Sequence, residues 1–174
     1  MILDAQLAFD TSTLITANGT TQTSGNIIDL HASGAIPVLA NLQGARDMGI
    51  GDDPGLELLV QVLTAASTGT SMSVALQGAP DNGSGAPGTY ATWWTSPAYT
   101  TAQLVAGARL MDMVMPRPPA GVAIPRFLRL LYTTVSTCNP TIGAYIVLDR
   151  MDQPYSSTNN AIMGGYPAGI TIAN

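Results

Sequence analysis

The chain has little charge and no lysine. Of its 174 residues, 10% are charged, and the six basic residues are all arginines; an ordinary soluble domain carries roughly 25% charged residues. The net charge of -5 disfavours nucleic acid or an anionic membrane as a partner, because both require a basic face. Without lysine, Schiff-base chemistry and a P-loop lysine are excluded. A surface so poor in charge favours burial in an assembly.

Cysteine, histidine and long apolar runs are also scarce. The single cysteine, Cys138, excludes an intramolecular disulfide and a zinc site built from cysteines. The first residues, MILDAQLAFD, lack the basic segment of a secretory signal, and no apolar run approaches the ~20 residues needed to cross a bilayer. We therefore expect a chain made in the cytosol, with no membrane partner and no cofactor.

The sequence pattern predicts short strands rather than long helices. The 18 glycines and 12 prolines interrupt any long helical pattern. The segments LELLVQVLT and SMSVALQG alternate with period two and are predicted to form a β-hairpin, and RFLRLLYTTV and TIGAYIVLDR are predicted to be two further core strands. The proline-rich stretch 116–125 cannot pair as a central strand. This pattern predicts an all-β sandwich, jelly roll or barrel.

The ends of the chain are predicted to be extended arms. The N-terminal segment ends in the polar run ITANGTTQTSGN, and residues 151–174 are polar and rich in glycine and proline, with single hydrophobic residues spaced apart. We predict an N-terminal arm over 1–24, a β-sandwich over 25–150 and a C-terminal arm over 151–174.

The segment GARDMGIGDDPG, residues 44–55, combines acids with glycines. A calcium loop of the EF type needs acids where this segment has glycines, and a phosphate cradle needs a glycine turn that opens a helix rather than a strand. The favoured interpretation is a loop entering a strand, with Arg46 and Asp47 paired to each other or to neighbours.

The sequence offers only weak candidates for catalytic residues. Asp29 and His31 could share one face of a strand, but no nucleophile elbow accompanies them. Cys138 next to Asn139-Pro140 is interpreted as a structural or idle thiol. Asp112 and Asp149 could form a carboxylate pair for sugar hydrolysis, but an acid in such a strand more often points outward or holds an arginine such as Arg129 across the sheet. We expect the protein not to be an enzyme, with a small hydrolase as a minor alternative.

Aromatic residues leave a second alternative open. Trp93 and Trp94, with Tyr90 and Tyr99, could stack on a sugar ring. Adjacent strand residues face opposite ways, so at most one tryptophan is expected to join such a platform while the other packs inward. A carbohydrate- or receptor-binding β-sandwich module is therefore the alternative function.

Several segments resemble a known group of proteins. MILDAQL, NIIDL, GARDMGIGDDPGLELLVQV, PRFLRLLYTT and GAYIVLD are similar, in that order, to the small capsid cement proteins of tailed bacteriophages, typified by that of a Bordetella phage. The resemblance implies an antiparallel jelly-roll β-sandwich on the outer capsid surface of the virion.

The resemblance also implies partners. Such a protein forms a small homo-oligomer, a dimer or trimer, and clamps neighbouring copies of the major capsid protein. The stretch around Arg46 and Asp47 then serves as a turn and an interface. The expected interface residues are Leu3, Leu7, Phe9, Arg46, Asp47, Tyr155, Ile162, Met163 and Tyr166.

Overall fold

The computed structural model describes residues 7–30, 56–123 and 125–147, together with the backbone of 155–156 and 161–162. Nearly all regular structure in this part of the chain is β. The strands are β1 Ala8–Leu14, β2 Thr21–Thr23, β3 Ile28–Asp29, β4 Glu57–Thr64, β5 Ser71–Ala79, β6 Ala91–Thr95, β7 Tyr99–Thr100, β8 Arg109–Val114, β9 Phe127–Val135, β10 Thr141–Val147, β11 Tyr155–Ser156 and β12 Ala161–Ile162. A 3-10 helix, Thr101–Gln103, follows β7.

Two antiparallel sheets form the sandwich. Sheet I has the strand order β1-β10-β4-β8, and sheet II has the order β2-β9-β5-β6, with β3 also pairing with β9 and β7 with β5. Consecutive strands along the chain repeatedly change sheet: β4 leads to β5, β8 to β9, and β9 to β10. An eight-position double sheet with this order is a jelly roll. The predicted fold class is therefore confirmed.

The core lies between the two sheets. Alternate residues of β4 and β10 from sheet I, such as Val60 and Ile142, join alternate residues of β5 and β9 from sheet II, such as Val74 and Leu130, in one buried cluster. All four of these side chains are fully buried. The period-two pattern thus places one face of each strand in the core.

β4 and β5 do not form the predicted hairpin. β4 pairs with β10 and β8, whereas β5 pairs with β9, β6 and β7. The connection between them crosses from sheet to sheet at Gly69, whose φ is +99° and where a Cβ would lie 2.4 Å from the Thr137 carbonyl oxygen. Asn139 fixes this crossing, because its side-chain oxygen accepts hydrogen bonds from the Ser67 and Thr68 amides at 2.9 and 3.1 Å.

The sandwich begins earlier than predicted. β1 pairs with β10, and β2 pairs with β9, so residues 8–14 and 21–23 belong to the sheets. The prediction of an arm reaching residue 24 is therefore wrong. Thr11 and Ser12 of β1 are polar and exposed, as edge-strand residues often are, and the polar composition around them resembles that of an arm.

The described part of the C-terminal segment is a two-residue ladder. β11 and β12 pair with each other, with Tyr155 opposite Ile162 and Ser156 opposite Ala161. Within the residues that the structure describes, this ladder is a separate sheet. The remainder of the segment 151–174 lies outside the described residues.

Candidate functional site

Most of the predicted interface residues lie where the structure gives no description. For Tyr155 and Ile162 it gives only the backbone, which pairs in the short ladder. The other residues of this kind lie outside the described ranges altogether: Leu3, Arg46, Asp47, Met163 and Tyr166. Their role as interface residues stays a prediction.

Leu7 and Phe9 are placed by the structure at the core. Phe9 is fully buried in the inter-sheet cluster, and Leu7 is half-buried and packs against that cluster. Phe9 therefore stabilises the sandwich and is not available as an exposed anchor of a free arm. The prediction for Phe9 is wrong, because β1 is a sheet strand whose inward side chain enters the core.

Both tryptophans pack toward the core. The register of β5 with β6 shifts between Leu76 and Gln77, so Trp94 lies opposite Leu76 while Trp93 occupies the irregular position. The indole of Trp93 fills the space beside Gly78, and both rings pack against the buried cluster. The expectation that the two rings point to opposite faces is wrong, because a bulge breaks the alternation. The sugar-stacking platform loses its geometric basis.

The candidate catalytic acids are held in ion pairs. Asp29 accepts two hydrogen bonds from Arg126, from Nε at 2.9 Å and from Nη2 at 3.0 Å. Asp112 pairs with Arg109, three residues away on the same strand, and not with Arg129, which lies on the other sheet. His31 and Asp149 lie outside the described residues.

Cys138 is a core residue. Its side chain is fully buried, and burial raises the pKa of the thiol above its ordinary value. A buried thiol with a raised pKa is a poor nucleophile, because the thiolate is the reactive form. The interpretation of Cys138 as structural therefore fits its surroundings.

Arg126 joins two segments at one end of sheet II. Besides Asp29 on β3, it binds Asp81 in the loop between β5 and β6, and its guanidinium lies 4.8 Å from the centre of the Phe127 ring. Its hydrogen bonds with Asp29 and Asp81 raise the pKa of the guanidinium above its ordinary value. Asp81 in turn accepts the amides of Gly83 and Gly85 at 2.7 and 3.0 Å, which orders the loop.

A second arginine lies on the outer face of sheet II. The guanidinium carbon of Arg129 is 3.6 Å from the centre of the Tyr90 ring, a close stacking contact. Its Nε donates to Gln77 Oε1 at 2.8 Å, and the Gln77 amide donates to Thr92 at 3.0 Å. We call the four residues Tyr90, Arg129, Gln77 and Thr92 the Arg129 cluster.

Sequence reasoning missed the Arg129 cluster, although part of the signal was present. In RFLRLLYTTV, alternation places Leu128 and Leu130 inward and Arg129 outward. The partner of Arg129 depends on the pairing of β9 with β5, which brings Gln77 opposite it. Strand pairing between distant segments cannot be read from alternation within each segment.

The described residues contain no group of three or more His, Cys, Asp or Glu side chains arranged to hold a metal ion. None of the described helical structure is long and apolar enough to span a bilayer.

Comparison with known proteins identifies a family. The sequence profile of the Bbp16 family matches residues 9–148, which cover the sandwich and most of the chain. The family name indicates a Bordetella phage protein. No curated protein matches the chain.

Proposed function

The chain belongs to the Bbp16 family, and from this membership we propose that it is a capsid cement protein. In this role it binds the outer surface of a phage head and clamps neighbouring subunits of the major capsid protein. It acts as a small homo-oligomer, a dimer or trimer, and stabilises the shell without catalysing a reaction or holding a cofactor.

The observation that carries the proposal is the extent of the family match. The match runs from Phe9 in β1 to residue 148, just beyond the end of β10, so it includes every strand of the jelly roll. The relationship to a phage family therefore concerns the whole sandwich rather than one short motif.

The surface of the sandwich supports the proposal. On the outer face of sheet II, Ser73 lies opposite Thr133, and Ser71 lies opposite Val135. None of these four side chains is charged. Val135 is 55% exposed. Uncharged surface has a small desolvation cost on binding, because no ion has to leave water.

Repetition over a lattice explains how such surfaces can hold a shell. A specific protein interface buries on the order of 1,600 Å² in total. A protein that bridges two subunits converts its second contact into an intramolecular one, so modest affinities give long retention. Many copies then raise the free energy needed to open the shell.

The copy number in purified particles tests the proposal. Particles from the source phage are banded on a density gradient, and this chain is quantified against the major capsid protein by mass spectrometry. We expect a ratio near one or a simple fraction of one. A few copies per particle indicate a tail or receptor-binding component instead, and absence from particles rules out the capsid role.

A second measurement addresses the stabilising role. Particles that lack this chain are expected to lose their DNA at lower temperature than wild-type particles, and added purified protein is expected to restore the loss temperature. Equal loss temperatures with and without the chain would contradict a cementing role even if the protein were present in many copies.

A further inference from the structure

We propose that the outer face of sheet II docks on the shell through Arg129, which binds a carboxylate side chain of the major capsid protein. This inference rests on the proposed function and adds to it the face that meets the shell and the chemistry of the contact. The occupant is an Asp or Glu side chain, and the Arg129 cluster is the part of this chain that receives it.

The guanidinium of Arg129 is fixed before any partner arrives. Tyr90 stacks on its face at 3.6 Å, and Gln77 accepts from its Nε at 2.8 Å. Thr92 holds the Gln77 amide from the other side at 3.0 Å. A side chain ordered in this way loses little further entropy on binding, which favours affinity.

The two terminal nitrogens of Arg129 are left for a ligand. Among the described residues, the Arg129 side chain makes one hydrogen bond, donated by Nε to Gln77. The residue is half-buried, and neither Nη atom is among the buried polar atoms without a partner. Both Nη atoms are therefore accessible. A guanidinium edge with free N–H groups matches the two oxygens of a carboxylate.

Arg129 differs in this respect from the other described arginines. Arg126 binds two carboxylates, Arg109 binds Asp112, and Arg117 has an interaction of its own. Arg129 has no acidic partner within the described part of the chain. The local positive charge of an arginine without an acidic partner in the described residues attracts a carboxylate from another protein at short range.

The surroundings of Arg129 strengthen such a contact. Phe127 and Leu131 flank it on the same face of β9, and Ala75 lies opposite Leu131 on β5. Phe127 is 5% exposed and Ala75 is 6% exposed. These buried apolar side chains already exclude water beside Arg129. A partner that covers the side still exposed lowers the local dielectric further, so the attraction between the charges increases.

A different protein is the more suitable source of the carboxylate than a second sandwich. Every described acid of this chain is already engaged: Asp10 with Tyr132, Asp29 and Asp81 with Arg126, Asp112 with Arg109, and Glu57 in a further interaction. A contact between two described sandwiches would therefore have to break an existing pair to satisfy Arg129. A shell protein can supply a carboxylate without that loss.

The test compares two full-length variants with equal charge change. Arg129→Gln removes the guanidinium of the cluster, and Arg117→Gln removes an exposed arginine in the proline-rich loop. Heads lacking this chain are mixed with each protein, and the bound fraction is measured by co-sedimentation over a range of protein and salt concentrations. We expect Arg129→Gln to weaken binding by about tenfold or more, as loss of a desolvated charge pair does, and Arg117→Gln to bind like wild type.

The salt series uses the unmodified protein as well. Wild-type binding is expected to weaken as salt rises, and Arg129→Gln binding is expected to depend less on salt, because one charge contact is gone. Wild-type affinity of Arg129→Gln for the heads would overturn the proposed docking face while leaving the cement function intact. Equal weakening by Arg117→Gln would also overturn it, because the effect would then be general electrostatics.

Two further outcomes separate the remaining possibilities. If wild-type protein fails to bind the heads at all, the proposed function fails, and the docking face fails with it. If Arg129→Gln changes the oligomeric state of the free protein in analytical ultracentrifugation, the occupant is a second copy and the proposal is overturned. The thermal unfolding temperature of each variant is measured first, so that a loss of folding is not read as a loss of binding.

Discussion

At the scale of single residues, the indole of Trp93 occupies the space that a side chain at position 78 would need. Gly78 is an inward position of β5, and a Cβ there would lie 2.3 Å from Cζ2 and 2.6 Å from Cε2 of the Trp93 indole. These distances leave no room for a methyl group. The bulge in β6 that turns Trp93 inward is thus matched to a glycine on the neighbouring strand.

We expect Gly78→Ala to destabilise the sandwich by about 1–3 kcal/mol, because the added methyl group displaces the indole. Urea denaturation followed by tryptophan fluorescence measures this change. In a Trp93→Phe background the same substitution should cost less, because the smaller ring leaves space, and the difference is the coupling between the two positions. Equal costs in both backgrounds would show that Trp93 is not what the methyl group meets.

Tyr132 and Asp10 form a buried link between the sheets. The Tyr132 hydroxyl donates to Asp10 Oδ2 at 2.5 Å, and the Gly25 amide donates to Oδ1 at 2.7 Å. Burial, and then the nearby carboxylate, raise the pKa of Tyr132 well above its ordinary value of 10.0. The neutral phenol is therefore favoured in the folded state.

The raised pKa predicts a loss of stability at high pH. Below pH ~10 both the folded and the unfolded chain keep the Tyr132 proton, so the hydrogen bond of Tyr132 contributes fully to the free energy of unfolding. Above that pH the unfolded chain loses the proton first, and the free energy of unfolding falls by up to about 1.4 kcal/mol per pH unit. Tyr132→Phe lacks this contribution. The difference between wild type and Tyr132→Phe, measured by urea denaturation from pH ~8 to ~11, should shrink above pH ~10; a constant difference would contradict the assignment.

At the scale of elements, sequence reasoning found most strands but not their partners. Alternation in LELLVQVLT and SMSVALQG correctly placed β4 and β5, and the proline-rich stretch carries no strand in its described residues. The two strands nevertheless belong to different sheets. Alternation specifies which side chains face the core, whereas the crossing depends on Gly69 and on Asn139, which is about 70 residues away along the chain.

The contacts of the Arg129 cluster and the inward orientation of both tryptophans were not predicted from the sequence, for the same reason. Gln77 meets Arg129 because β5 pairs with β9, and Trp93 turns inward because β6 is irregular opposite β5. Both facts are set by contacts between segments far apart in the sequence. The family resemblance, by contrast, rested on short continuous motifs. The Bbp16 family match confirms the relationship to phage proteins, and the cement role stays a proposal.

The loop between β5 and β6 provides a prediction about an element. Asp81 accepts the amides of Gly83 and Gly85 and binds Arg126, so it joins the loop to the start of β9. We expect Asp81→Ala to speed hydrogen exchange of the Gly83 and Gly85 amides, because both lose their acceptor. Exchange at Val74 in β5 serves as the internal control and should not change. Unchanged exchange at both glycines would show that other contacts order the loop.

At the scale of the whole molecule, the sandwich and the C-terminal segment are separable in the described backbone. The jelly roll closes with β10 at Val147, and the ladder of β11 and β12 pairs only with itself among the described strands. The family match likewise ends at residue 148. The contribution of residues 151–174 to folding and to attachment can therefore be tested apart from that of the sandwich.

We expect removal of residues 151–174 to leave the sandwich folded and to weaken its attachment to the head or its self-association. The free energy of unfolding should stay within about 0.5 kcal/mol of the full chain, because no described ladder joins the segment to either sheet. Attachment should weaken because the segment, which the sequence predicts to be an extended arm, adds contacts beyond those of the folded face. Urea denaturation, analytical ultracentrifugation and co-sedimentation with heads measure the three quantities.

Combining the truncation with Arg129→Gln tests whether the C-terminal segment and the face of sheet II bind the shell independently. If the segment and the face of sheet II bind the shell at separate places, their losses of binding free energy should add in the combined variant. Full retention by the truncated protein, with unchanged self-association, would remove the segment from the interface. Loss of folding by the truncated protein would instead show that residues 151–174 stabilise the sandwich, and the boundary between core and arm would then have to be moved.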